Sequence, residues 1–265
     1  MKYAVALLVA LAIAPAHAEL DWDTALNGPQ RAETNKARDA SRHPRETLEF
    51  FGIQEGMTVV ELSPGGGWYT EILAPLVAAE GKLYAAHFSP NAAGSPYFRN
   101  ALGGFLQKLA GDHELYGPVV VTALAPPLET AIAPEGSADL VVAFRNIHSW
   151  MGMGTLDGAL AAAFTALKPG GVLGVVQHRA KAGDDLEAMA KSGYVTEAYV
   201  IAAAEKAGFT LAASSDINAN PRDTADHPYG VWSLPPALRG GDDDRAKFEA
   251  IGESDRMTLR FVKPE

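Results

Sequence analysis

Side chains able to move protons or hold ligands recur where apolar runs stop. Glu61 and Ser63 follow Thr58-Val59-Val60, and His87 falls at the end of the run that starts at Lys82. Arg145, Asn146 and His148 follow Asp139–Phe144, while Gln177, His178 and Arg179 end or follow Val172–His178. Interior positions of these runs are almost wholly apolar. In a parallel α/β sheet, ligands sit outside the carboxyl ends of the strands, so these polar ends are expected to share one face. His148 is the candidate general base, because an imidazole titrates at about 6.5 and can take a proton from a nucleophile near neutral pH. His178 is the second candidate, as a base or as a group that orients substrate. For each, a purely structural imidazole satisfied by hydrogen bonds is the competing reading. His87, His148 and His178, with Glu61, are also competent transition-metal ligands. No two of these histidines share a short spacing such as H-x3-H, so no metal residue is assigned. Arg145 and Arg179 suit either an anionic substrate or ion pairs with acids elsewhere in the chain.

The densest signal is Met57–Ala79, MTVVELSPGGGWYTEILAPLVAA. A short apolar run ends in Glu61, a turn follows through Leu62-Ser63-Pro64-Gly65-Gly66-Gly67, and a helix pattern then sets Ile72, Leu73 and Leu76 on one face. Strand, glycine loop and helix together bring bare backbone N–H groups to a helix N-terminus, beside a small anionic or nucleoside ligand. Successive glycines admit positive φ and a close ligand approach that a Cβ would block. Tight strand–helix packing alone could require the same turn. Trp68, Tyr69 and Trp150 could stack on an aromatic ligand or simply pack.

The elements that must position these groups alternate. Strands are expected at Thr58–Leu62, Lys82–Phe88, Val119–Ala123, Asp139–Phe144, Val172–His178, Phe209–Ile217 and Met257–Val262. Helices are expected at 97–110, Leu156–Leu167 and Val195–Ala207, besides the one after the glycine loop. Residues 19–50 are polar and rich in arginine, with two short helices, the second spanning Pro44 to Phe51. Strands separated by helices imply βαβ units and a parallel sheet. Residues 218–254 are rich in Pro and Asp and join the last two strands without a usual crossover helix. They read as a lid-like insertion on a single domain covering 51–265.

The chain has 265 residues and no cysteine, which excludes disulfides, thiolate metal sites and cysteine nucleophiles. Its net charge of −10 argues against nucleic acid as a partner. Lys2, the apolar stretch Ala4–Ala14 and the small residues of Ala16-His17-Ala18 form a signal-peptide pattern over 1–18, with cleavage after Ala18. The apolar stretch is too short to span a bilayer. The expected mature chain is periplasmic or secreted and begins near Glu19, with no membrane segment. Asp242-Asp243-Asp244 reads as a solvated loop rather than a cation site.

Four segments together resemble the class I S-adenosylmethionine-dependent methyltransferases. Glu61-Leu62-Ser63-Pro64-Gly65-Gly66-Gly67 looks like their first motif, and Ala138-Asp139-Leu140-Val141-Val142 like their fourth strand. Leu167-Lys168-Pro169-Gly170-Gly171-Val172-Leu173 is similar to the turn into their fifth strand, and Arg256–Val262 fits their reversed last strand. More narrowly, Phe144–Trp150, Gln177–Ala180 and Asp226-His227-Pro228 look like a bacterial group of exported methyltransferases. The resemblance implies a Rossmann-like, doubly wound α/β fold: a mostly parallel seven-stranded sheet with an antiparallel last strand. It implies S-adenosylmethionine as cofactor, bound by Glu61, Ser63, Gly65, Gly66, Gly67, Tyr69, His87 and Asn146. In that set Glu61 orients the methionyl amino group, and the glycine backbone approaches the carboxylate and ribose. The implied activity is methyl transfer to a small-molecule acceptor. An exported small-molecule or metal-binding protein without that activity is the alternative. Two positions depart from the pattern. Ser63 replaces a glycine, and His87 stands where an acid usually accepts both ribose hydroxyls; a neutral imidazole accepts only one such bond.

Overall fold

The computed structural model describes residues 20–78, 80–91, 96–181, 185–242 and 244–265. The expected signal segment and Asp243 lie outside the described residues. Seven strands form one sheet: β1 (Thr58–Leu62), β2 (Lys82–His87), β3 (Val120–Ala123), β4 (Ala138–Phe144), β5 (Leu167–His178), β6 (Thr210–Ser215) and β7 (Arg256–Val262). Their order is β3-β2-β1-β4-β5-β7-β6. β1 to β5 run parallel, and β7 lies antiparallel to both β5 and β6. The expected doubly wound sheet with a reversed last strand is thus the observed one. The strand order reverses between β1 and β4, which is where a crevice opens in such sheets.

Alternate residues of each central strand enter different cores, because side chains in a strand point to opposite faces. Val141, Ala143, Leu173 and Val175 face one core, with Trp150 and the Leu156–Ala166 helix. Leu140, Val142, Phe144, Val172 and Val176 face the other, with Trp22, Leu48, Phe51, Ile72 and Leu73. A sheet covered on both faces explains why the runs read as nearly continuous apolar sequence.

The N-terminal segment holds four short helices rather than two: Trp22–Asn27, Glu33–Lys36, Asp39–Arg42 and Pro44–Phe51. Pro44 suits the first helical turn, and Gly52 ends the helix at φ 84°. This helix sits tightly on the sheet: a Cβ at Gly174 of β5 would lie 2.4 Å from the Phe51 ring. That packing brings Arg42 beside Phe144, Arg145 and Val176, at the ends of β4 and β5. The helix after the glycine loop, Thr70–Val77, contains Pro75, which cannot donate to the Glu71 carbonyl. The Gln30 amide donates to that carbonyl instead, at 3.3 Å.

Other differences are local. Helices Ile147–Met153, Leu186–Ser192 and Arg245–Ile251 are too short for a readable apolar period. The helix expected from Val195 begins at Glu197, because Val195 bonds on both sides to the end of β5: its N–H donates to His178 and its carbonyl accepts from Ala180. Lys168–Gly171 is an excursion within the β5 ladder, where pairing slips from Ala138↔Leu167 to Leu140↔Val172.

Candidate functional site

A cavity of about 740 Å³ opens at the carboxyl ends of β1, β4 and β5. Of the residues expected there, Glu61, Ser63, Gly65, Gly66, Tyr69, Asn146, His148 and His178 line it. Arg38 and Arg42 join them from the N-terminal helices, and Val231 and Trp232 from the 218–254 insertion. Gly67 and His87 do not line it.

The loop carries three positive φ angles: 46° at Ser63, 60° at Gly65 and 78° at Gly67. Ser63 therefore takes the left-handed conformation that glycine would take at lower energy. A Cβ at Gly65 or Gly66 would meet nothing within 4 Å, so this backbone edge is open. Gly67 has a packing role: its Cβ would lie 3.1 Å from Phe105. The loop is braced from two strands. Asn146 Nδ2 donates to the Leu62 carbonyl at 2.7 Å. His87 Nδ1 accepts from the Phe88 N–H at 2.7 Å, so Nε2 carries the proton and donates to the Gly65 carbonyl at 3.0 Å. Burial lowers the His87 pKa and keeps the ring neutral. Fully buried with both nitrogens engaged, His87 holds the loop rather than a ribose, which corrects its expected cofactor contact.

Glu61 is buried and accepts a hydrogen bond from Thr70 Oγ1 at 2.5 Å. Burial pushes its carboxyl up to about 7, so near neutral pH it is poised between acid and carboxylate. Ser63 Oγ beside it is buried without a hydrogen-bond partner. This end of the cavity suits a ligand that brings a cation and a hydrogen-bonding group.

The His148 and His178 rings lie 5.7 Å apart. Gln177 Nε2 donates to the Gly193 carbonyl at 2.8 Å, which fixes its amide, and its second N–H reaches His148 Nδ1 at 3.2 Å. A neutral His148 is thus the Nε2–H tautomer, a donor toward the cavity. His178 Nδ1 pairs with Ser254 Oγ, leaving its Nε2 for a ligand. Burial pushes His148 down to about 4 and, with His148 and three arginines adding to it, holds His178 well below the usual imidazole range. Both rings are therefore neutral at pH 7, below the titration range assumed from the unperturbed side chain. Trp232 meets His148 edge-on at 5.7 Å, so the insertion covers this pair.

The two candidate arginines separate. Arg179 pairs with Asp216 at 3.0 Å and Asp255 at 3.1 Å, which is the ion-pair reading. Arg145 lines the cavity at φ 64° and makes no ion pair among the described residues. Tyr69 stacks on Phe144, with ring centres 3.4 Å apart. Trp68 packs between Arg31 and Arg42, with its Nε1 on the Asn35 carbonyl. Arg38 and Arg42 line the cavity, with Glu253 and Arg256 bonded to each other and Glu253 to both; the arginine-rich stretch within 19–50 of an acidic chain is the one trace of this group in the sequence. Among the described residues, no three His, Cys, Asp or Glu side chains form a group that could hold a metal. Among the same residues, no helix is long and apolar enough to cross a membrane.

No protein-family model and no curated protein matches the sequence. Solved structures do match. An S-adenosylmethionine-dependent methyltransferase from Aquifex aeolicus superposes with a TM-score of 0.55 at 17% identity, over 86% of this chain and 93% of that one. The [4+2]-cyclase SpnF gives 0.57 at 18% identity, over 95% and 87%. A possible exported protein from Bordetella parapertussis gives 0.51 at 17% identity, over 86% and 68%. At these identities the likeness establishes the fold, which is that of the class I S-adenosylmethionine-dependent methyltransferases.

Proposed function

We propose that the protein transfers a methyl group from S-adenosylmethionine to a small-molecule acceptor, and that it does so outside the cytoplasm after cleavage behind Ala18. What carries the proposal is the open backbone edge of Gly65 and Gly66 beside the buried Glu61, at the point where the strand order reverses. S-adenosylmethionine supplies an activated methyl group. Glu61 would hold its ammonium group as a carboxylate, and Ser63 Oγ would gain the partner it lacks. The glycine edge admits the carboxylate and ribose without a Cβ in the way. An adjoining recess of about 440 Å³, with Phe88, Phe98, Leu124, Pro126 and Met153 among its walls, suits a purine ring. His148 holds the acceptor by donating from Nε2–H. His178, with Nδ1–H on Ser254, presents Nε2 as a hydrogen-bond acceptor that orients the acceptor's nucleophile, and it gains basicity only when an anion covers the neighbouring arginines. Most of the acceleration in such a site comes from positioning.

Fold alone does not decide the chemistry, since a cyclase shares it. A second reading, ligand binding without methyl transfer, is favoured by His87, which leaves the end of β2 without an acid for the ribose. Calorimetry on the mature protein with S-adenosylmethionine and S-adenosylhomocysteine, at two temperatures, tests the cofactor site, and a turnover assay for S-adenosylhomocysteine formation separates the two readings. Saturable binding that Gly66→Arg abolishes at unchanged melting temperature, with turnover, supports methyl transfer; binding without turnover supports the second reading, and no binding of either compound refutes the first. Mass spectrometry of the N-terminus of the exported protein tests the cleavage, and an intact Met1 excludes it.

A further inference from the structure

Three guanidinium groups, those of Arg38, Arg42 and Arg256, bond to a single carboxylate, and a fourth, that of Arg145, lies beside Arg42 and Arg256. Glu253 Oε1 accepts from Arg38 Nε at 2.6 Å, and Oε2 accepts from Arg42 Nε at 3.2 Å and from Arg256 Nη2. These partners hold Glu253 at about 2 against its burial, so it is ionised. One negative charge cannot balance four positive ones, and the surplus faces the cavity.

Two of the arginines have donors to spare. Arg42 is 3% exposed, and neither Nη1 nor Nη2 has a hydrogen-bond partner. Trp68 covers one face of its guanidinium at 4.6 Å. Arg145 has no carboxylate among the described residues, and a left-handed backbone at φ 64° delivers it to the cavity wall. Burial first, then Arg42 and Arg256, push its pKa well down. Buried guanidinium donors without partners, as on Arg42, and a strained backbone, as at Arg145, are both costly, and such features gather where a ligand completes them. Arginine forks match carboxylate and phosphate oxygens two at a time.

We propose that Arg42 and Arg145 form a preformed site for a carboxylate or phosphate carried by the acceptor, beside the histidine pair. The word acceptor rests on the methyl-transfer reading; the anion site does not. Its place is given by its neighbours. Arg256, Arg145 and Arg42 all act electrostatically on His178, whereas the charges acting on Glu61 are Lys108 and Glu71. The same three arginines also act on Tyr69, and Arg42 lies over the Trp68 ring, so the anion site sits between the histidine pair and the residues that follow the glycine loop.

The probes are inorganic phosphate and succinate, titrated calorimetrically into the mature protein saturated with S-adenosylhomocysteine at fixed ionic strength. The expected result is saturable binding of at least one probe, weakened at least about tenfold by Arg145→Gln and partly restored in Arg145→Lys. Arg145 has no carboxylate partner to lose, so Arg145→Gln melts at or above the wild-type temperature, and affinity for S-adenosylhomocysteine stays within about twofold. No saturable binding by the wild type, or equal binding by Arg145→Gln, overturns the site. So does a variant that loses S-adenosylhomocysteine yet binds 5′-methylthioadenosine normally, because the arginines would then serve the methionyl carboxylate. If the wild type ignores S-adenosylhomocysteine but binds phosphate in an Arg145-dependent way, the site stands and the methyl-transfer reading falls.

Discussion

Glu61→Gln tests the poised carboxyl directly. The wild-type group is raised from 4.5 to about 7, chiefly by burial. At about 1.4 kcal/mol per unit, that difference corresponds to about 3 kcal/mol. The folded state retains a proton through this window that the unfolded chain has already released, so stability falls as pH rises from about 4.5 to 7. Glutamine cannot titrate, and its carbonyl still accepts from Thr70. Subtracting the variant's stability from the wild type's cancels the other titrating groups. Glu253, held at about 2, adds stability between there and its ordinary value; His148, held at about 4, adds it up to the imidazole range. The difference curve is expected to be flat below about pH 4, to drop by about 3 kcal/mol, and to flatten again above about pH 7.5. Urea unfolding followed by circular dichroism across that range measures it. Parallel curves, within about 0.5 kcal/mol, would refute the buried, raised carboxyl. A ligand ammonium would ionise Glu61, so binding of S-adenosylhomocysteine near pH 7 should release protons, seen as a buffer-dependent calorimetric heat.

Three further substitutions separate holding the loop from using it. Gly67→Ala meets both the left-handed φ and the Phe105 ring, and should lose about 1–3 kcal/mol in urea unfolding. Ser63→Gly relieves its left-handed backbone and removes an unpartnered hydroxyl, and should gain about 1 kcal/mol in the same assay. Gln177→Leu strands the Gly193 carbonyl and His148 Nδ1, at a cost of about 1–3 kcal/mol. Nitrogen-15 spectra of wild-type His148 at pH 7 should show a protonated Nε2 and a bare Nδ1, and the variant should lose that preference.

The sheet was legible because its determinants are local. Each central strand is a short apolar run, and Gly65, Gly66 and Gly67 announce the turn between β1 and its helix. The polar strand ends were legible too, and Glu61, Asn146, His148 and His178 do share one cavity. His87 misled because its place at a strand end is all the sequence shows. Its two hydrogen bonds, to the Phe88 N–H and the Gly65 carbonyl, depend on how β2 packs beside the loop. The helix carrying His148 escaped because seven residues around Gly152 show no apolar period. The arginine wall was out of reach of any local pattern. Arg42 and Glu253 lie 211 positions apart, and only the closing of the sheet by β7 brings them together.

The same distance explains how a common fold acquires a particular site. The glycine loop and Glu61 belong to the sheet, and one end of the cavity follows from the fold itself. The other end is supplied by segments outside the βαβ core: Arg38 and Arg42 before β1, and Val231, Trp232 and Glu253 after β6. Glu253 anchors the arginines without neutralising them, because its two oxygens already serve three guanidiniums. The cavity therefore asks for a cation beside Glu61 and an anion beside Arg145, with two neutral imidazoles near the arginines. An acceptor anchored there by its carboxylate or phosphate would neutralise the arginines that depress His178, and so raise the basicity of the imidazole beside its nucleophile.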